Sequence, residues 1–326
     1  MPPASRLPAL MDALVQSGGI ATGADLVAVS SPATLRAALK QGYLARLGRG
    51  TYARADIATS ADASAAARSW ARWTEPLTED ELRVLIGRHA RAVAAGAALY
   101  GLSAAQHHGW ALLREPQRLQ VLRPHGRHVP VSLSGCDVRF RAVDRDTYQS
   151  GVTSALDTVL HCAAELPFPQ GLAVADSALR SGAVGPATLI NAADTYTGRG
   201  RARVRRVAEA ADGRAANPFE SGLRAILLET GLFTLTVQYQ IRDTGFFAAV
   251  DLADERLRIV FEADSYEFHG TKAGFARDID RYDDLICRDW LVLRLRLHHV
   301  VHQPVRIREI ARATVDVRRQ QGYGRG

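Results

Sequence analysis

The stretch FFAAVDLADERLRIVFEADSYEFHG, residues 246–270, decides the fold. It reads as two β-runs joined by the polar turn Asp254-Glu255-Arg256, because apolar and aromatic residues crowd both sides of a short charged break. Asp251 ends the first run, while Glu262 and Asp264, two apart on the second, share a face by strand alternation. His269 follows five residues later, where the chain leaves the strand. Acids at the end of a strand built from Leu257, Ile259, Val260 and Phe261 are costly to bury unless paired or metal-bound. Three carboxylates and a histidine suit a hard divalent cation beside a phosphodiester, since Mg²⁺ (or Mn²⁺) takes one or two carboxylates and keeps several waters. Asp251 and Glu262 are the expected ligands, with Asp264 and His269 placed to orient or activate water. The plainer reading pairs Glu262 and Asp264 with Arg277 or Arg281 on the following helix. Direct opposition of Asp251 and Glu262 needs a register that spacing alone does not set.

Outward from this hairpin the pattern alternates. Upstream, Asn217 caps and Pro218 opens a helix over FESGLRAILLETG, stopped by Gly231, and TVQYQIR reads as a strand. Downstream, a long helix from about Ala273 to Arg288 precedes the strand WLVLRLRL. Helix-β-β-β-helix-β is an α/β arrangement around a mixed sheet. Arg277 and Arg281, one helical turn apart, are candidates to hold a phosphate or the carboxylates. His298, His299 and His302 resemble metal ligands in type only and read as surface.

Residues 5–54 read as three short helices and a hairpin. Leu7, Leu10, Met11, Leu14 and Val15 recur at helical spacing; Thr22 caps a second helix; Ser31 and Pro32 open a third, PATLRAALKQG. YLARLGRGTYAR then makes two strands around Gly48-Arg49-Gly50. This is the winged helix-turn-helix layout, in which Thr34, Arg36 and Lys40 face a major groove and Arg46, Arg49 and Arg54 reach phosphates. The bland alternative is a small helical module with solvated arginines.

Between the ends, 55–78 is an alanine-rich loose helix or linker, and 79–214 an α+β region without chemistry of its own. Its histidines, His107, His108 and His161, read as surface or satisfied core, and the basic run 198–214 as a solvated helix. A chain of 326 residues exceeds one ordinary core, and its +7 formal charge favours a polyanionic partner. That charge is arginine, Lys40 and Lys272 being the only lysines. Three scattered cysteines make neither a zinc ribbon nor a disulfide framework. With neither a signal peptide nor an apolar run long enough for a membrane, a cytoplasmic location is expected.

The segments VDLADERLRIVFEADSYEFHG and FARDIDRYDDLICRDWLVLRL resemble the DUF559 domain, a relative of the very-short-patch-repair endonucleases in the PD-(D/E)XK nuclease superfamily. The resemblance implies a restriction-endonuclease-like α/β domain over 216–326, a mixed sheet flanked by helices, with catalytic acids at Asp251, Glu262 and Asp264 and a histidine at His269. It also sets Glu220 at the acidic position of the first helix and Gln240 at a glutamine common on the first strand. Ser265 stands where the family usually has Gly, and Asp264 replaces the superfamily's lysine. Residues 5–55 resemble the winged helix of AbiEi-type antitoxins, which implies a DNA-binding domain over 1–57 and an α+β middle region over 58–215. Together these imply a Mg²⁺-dependent DNA endonuclease or nickase delivered by a winged helix, with no small-molecule cofactor. The alternative is a non-catalytic DNA-binding regulator or antitoxin with a cognate toxin partner.

Overall fold

A computed structural model describes residues 6–16, 20–41, 43–48, 51–54, 79–126, 128–264 and 272–324. The linker expected over 55–78 lies outside them. The chain forms two compact units, one from the residues up to 154 and one from Ala155 onward, with residues 110–115 belonging to the second.

In the first unit, α1 (Leu7–Gln16), α2 (Gly23–Val29) and α3 (Pro32–Lys40) precede a hairpin of β2 (Leu44–Gly48) and β3 (Thr51–Arg54). Capping sets the helix starts: Thr22 Oγ1 accepts from Asp25 N at 3.2 Å and Ser31 Oγ from Thr34 N at 3.1 Å, with Pro32 in the first turn. Leu10, Leu14, Leu26, Leu35, Ala38 and Leu44 make one small core. A strand β1 (Ile20–Thr22), too short to show a period of two, joins the hairpin in the order β1-β3-β2.

The same unit continues with α4 (Glu79–Ala94), β4 (Ala98–Leu99), α5 (Gly101–His107), β5 (Gln120–Arg123), β6 (Asp137–Phe140) and α6 (Arg145–Ser150). The helix α5 starts only at Gly101, because Ala98 and Leu99 pair with Leu122 and Val121 of β5. Gly101 makes the bend at φ +56°, and a Cβ there would meet Gln120 Oε1 at 2.6 Å. That oxygen accepts from Leu102 N at 2.7 Å and starts the helix.

The second unit opens with α7 (Ala155–Glu165), α8 (Phe168–Arg180), α9 (Pro186–Thr195), α10 (Arg201–Ala210) and α11 (Pro218–Leu228). Arg224 Nη2 of α11 donates to both oxygens of the fully buried Asp176 of α8, at 2.9 and 2.7 Å. The stretch 58–215 thus divides at Ser154/Ala155, its later helices belonging to the same compact unit as the C-terminal sheet. That four-stranded mixed sheet forms from β7 (Thr236–Asp243), β8 (Phe246–Asp254), β9 (Ile259–Asp264) and β10 (Leu291–Arg296), in the order β10-β9-β8-β7. The first three are an antiparallel meander. β10 lies parallel to β9, and the intervening α12 (Lys272–Cys287) supplies the crossover that a parallel pair needs.

Strand alternation divides the sheet into two faces. Leu252, Ile259 and Phe261 meet Leu223 and Ile226 of α11 together with Ile307, Ala311 and Val315 of the last helix, α14 (Pro304–Gln320). Ala253 and Val260 meet Leu285 of α12 and Trp290. The short α13 (Leu297–His302) links β10 to α14.

Candidate functional site

Register brings four polar residues into one row across the C-terminal sheet. The pairs Val237↔Leu252 and Tyr239↔Val250 flank Gln238 and Asp251, which therefore face each other. The pair Leu252↔Phe261, carried one step along, sets Asp251 opposite Glu262, and Glu262 pairs in turn with Arg294. Amide, carboxylate, carboxylate and guanidinium succeed one another from β7 to β10.

Glu220 reaches this row from the first turn of α11. Its Oε2 accepts from Ala216 N at 2.9 Å and Gln238 Nε2 at 3.0 Å, and its Oε1 from Asn217 Nδ2 at 2.6 Å. Asn217 builds the corner, since its Oδ1 also caps Phe219 N and Glu220 N. Gln238 holds a left-handed backbone (φ 49°) within a strand, a conformation that costs a non-glycine residue on the order of 1 kcal/mol. In return its amide reaches two acids, Asp251 Oδ1 lying at 3.4 Å. The glutamine that meets the acids is therefore Gln238 and not Gln240, whose Oε1 accepts from Arg242 Nη2.

The acids are crowded, with Glu220 and Glu262 buried and Asp251 half-buried. Burial, reinforced by the charge of Asp251, pushes Glu220 up to about 7 and Glu262 up to about 8. Asp251 is also raised by burial, against the pull of Ala263 N, which donates to its Oδ2 at 2.8 Å. Asp251 and Glu262 lie within hydrogen-bonding reach of each other, so a proton shared between them relieves their repulsion. Arg281 of α12 opposes the rise without cancelling it: its Nη1 donates to Glu262 Oε1 and Ala249 O, both at 3.1 Å, and its Nη2 to Tyr282 Oη at 3.1 Å. By contrast, Asp254 in the hairpin turn is satisfied by backbone, accepting from Leu257 N and Thr234 N.

An all-oxygen donor set of this kind suits a hard divalent cation, and two carboxylates suffice for Mg²⁺ because it keeps its waters. Asp251 and Glu262 meet that requirement in kind. Among the described residues no group of three or more His, Cys, Asp or Glu is arranged to hold a metal ion.

The remaining candidates are dispersed. Asp264 Oδ2 lies 2.8 Å from Arg294 Nη2, a cationic partner on β10. Glu262 does pair with α12, through Arg281. His269 and Arg49 lie outside the described residues, as do the side chains of Arg277, Arg46 and Arg54. Arg36 and Lys40 are exposed one turn apart on α3. Thr34 does not face outward: it is 5% exposed, and its Oγ1 lies 2.9 Å from Ser31 Oγ inside the cap. The rings of His107 and His89 lie 4.5 Å apart, tilted at 44°, and desolvation lowers His107 to about 4.

Comparison with known proteins adds kinship. Residues 9–55, spanning most of α1 through the β2–β3 hairpin, match the family described as "Transcriptional regulator, AbiEi antitoxin". Two proteins of Mycobacterium tuberculosis, "Uncharacterized protein MT2308" (strain CDC 1551 / Oshkosh) and "Uncharacterized protein Rv2248" (strain ATCC 25618 / H37Rv), are each 30% identical over 231 residues, 69% of this chain and 81% of theirs. The chain belongs to their family. An alignment of 231 residues reaches well beyond residues 9–55, so family membership is not a matter of the winged-helix segment alone. The crystal structure of the RV2827C protein from Mycobacterium tuberculosis aligns with 69% of this chain and 75% of that chain at 17% identity and a TM-score of 0.31. No helix among the described residues is long and apolar enough to cross a membrane.

Proposed function

We propose that this protein is a DNA-binding transcriptional regulator of the AbiEi antitoxin type, with the product of a neighbouring toxin gene as its partner. The observation that carries this reading is the regulator-family match, which falls on α1–α3 and the hairpin, where Arg36 and Lys40 stand exposed on α3. An exposed basic helix followed by a β-wing serves groove reading with phosphate anchoring. Electrophoretic mobility shift with duplexes from the protein's own promoter region tests it. Salt-sensitive binding, weakened at least about tenfold by Arg36→Glu/Lys40→Glu, is expected, because phosphate contacts release counterions. Absence of binding to any promoter duplex at low salt would rule the reading out.

A second reading is favoured by the row Gln238, Asp251, Glu262, Arg294 with Glu220 beside it. We infer that the C-terminal unit is a restriction-endonuclease-like nuclease domain of the DUF559 kind, its helix, three-strand meander, crossover helix and parallel strand supporting that assignment. Asp251 and Glu262 would hold Mg²⁺ or Mn²⁺, which when bound supplies a water acidic enough to attack a phosphodiester and compensates charge on the leaving oxygen. Glu220, anchored by Asn217 and Ala216 N, would hold a water of that cation in place, and Gln238 keeps Glu220 and Asp251 at a fixed separation. Asp264 and His269 would orient the attacking water, while Arg277 and Arg281 steady the phosphate. Plasmid and single-stranded DNA incubated with Mg²⁺ or Mn²⁺ test this; cleavage no greater than that of Glu262→Ala on every substrate defeats it.

A further inference from the structure

We propose that Arg296 and Arg306, with His298 and His302 between them, form a second DNA-contacting surface on the C-terminal unit, one that grips the phosphate backbone of duplex DNA beside the carboxylate row. The surface is laid out along the chain. Arg296 ends β10 and pairs in register with Asp264 of β9. The helix α13 comes next and exposes His298 and His302 one turn apart, their rings 5.0 Å from centre to centre. Arg306 is exposed in the first turn of α14.

Electrostatics show why the strip needs an anion. Arg296 Nη2 lies 3.4 Å from His299 Nε2, and the charged groups acting on His299 are Arg296, Arg306 and His298, with no carboxylate among them. Neither Arg296 nor Arg306 makes an ion pair among the described residues, whereas Arg308 and Arg318 of the same helix are matched to Glu229 at 2.7 Å and Asp289 at 3.0 Å. Exposed arginines with no carboxylate paired to them among the described residues lower their energy by taking up negative charge. A strip that runs from a strand end across two helix starts fits a repeating anion better than a single one. It begins beside Asp264, whose own partner Arg294 is next to Glu262 in register, so a backbone lying on the strip passes the acids.

This surface deepens the nuclease reading, but its binding is measured without cleavage, so the two fail separately. Fluorescence anisotropy of labelled duplex DNA is followed with the full chain in EDTA, in an Arg36→Glu/Lys40→Glu background that silences α3. Residual salt-sensitive binding is expected; Arg296→Glu/Arg306→Glu should weaken it at least about tenfold and reduce the salt slope by roughly two. The charge-matched control Arg199→Glu/Arg203→Glu should change it by less than about twofold, since long-range charge alone is screened. Equal loss in both pairs, no residual binding in the background, or a preference for RNA overturns the proposal. Melting curves confirm that each variant is folded, and Arg296→Gln/Arg306→Gln repeats the comparison without charge reversal.

Discussion

Glu262 answers to two opposed fields: Asp251 and burial hold a proton on it, while Arg281 pulls the proton off. The balance leaves its folded-state value near 8, against an ordinary 4.5. Below about pH 4.5 the carboxyl is protonated in both the folded and the unfolded chain and costs nothing. Between there and pH 8 the unfolded chain releases the proton while the folded chain keeps it, so stability falls as pH rises. In EDTA, Glu262→Gln should flatten that decline and stabilise the protein at pH 8.5 by on the order of 1–3 kcal/mol, read by urea denaturation. An unchanged pH slope would show that the proton is not held there. At this scale Asp251 and Glu262 could be picked out because acids stand out on apolar strands, whereas Glu220 was reached only through the family resemblance and not from spacing. Gln238 could not be picked out, since it meets Asp251 through a left-handed backbone and a β7–β8 register that no local pattern records. Thr34 misled for the opposite reason: as a cap partner it turns inward, and two residues along a helix from Arg36 it lies on a different face.

Elements whose ends are built from adjacent residues were readable. Thr22, Ser31 and Asn217 start their helices through their own side chains, and a cap followed by proline is a signal contained within a few residues. Elements that exist only through a distant partner were not. β1 needs β3, and β4 needs β5. α14 keeps Ile307, Ala311 and Val315 for the core, but arginines surround this stripe and blur its period. Asn217 ties cap and site together. Asn217→Ala should cost about 1–2 kcal/mol through the lost cap, and should raise Glu220 further by removing the amide at its Oε1. Asn217→Ser restores the cap but not the amide. Chemical denaturation of both variants, with Glu220 titrated by NMR, separates the two effects; a Glu220 that titrates as before in Asn217→Ala would mean the amide contributes nothing.

Across the whole molecule, the chain order helix-β-β-β-helix-β around a mixed sheet was foreseeable, but the grouping of helices was not, because α8 joins α11 through two side chains far apart in sequence. Arg224→Ala would leave Asp176 buried and without its cation, a loss of about 3–5 kcal/mol for a broken buried pair. Replacing both with apolar residues of similar volume should cost distinctly less, and a single-variant loss under about 1 kcal/mol in thermal or urea unfolding contradicts the buried pair. The same pair bears on inheritance. A recombination event that cut the chain at residue 216 would carry Arg224 away from Asp176 and strand a guanidinium in an apolar interior. The acids of the C-terminal sheet are therefore heritable as a set only together with the helices from Ala155 onward, and even a breakpoint near Ser154 would take away residues 110–115, whose Leu113 is buried in the same core.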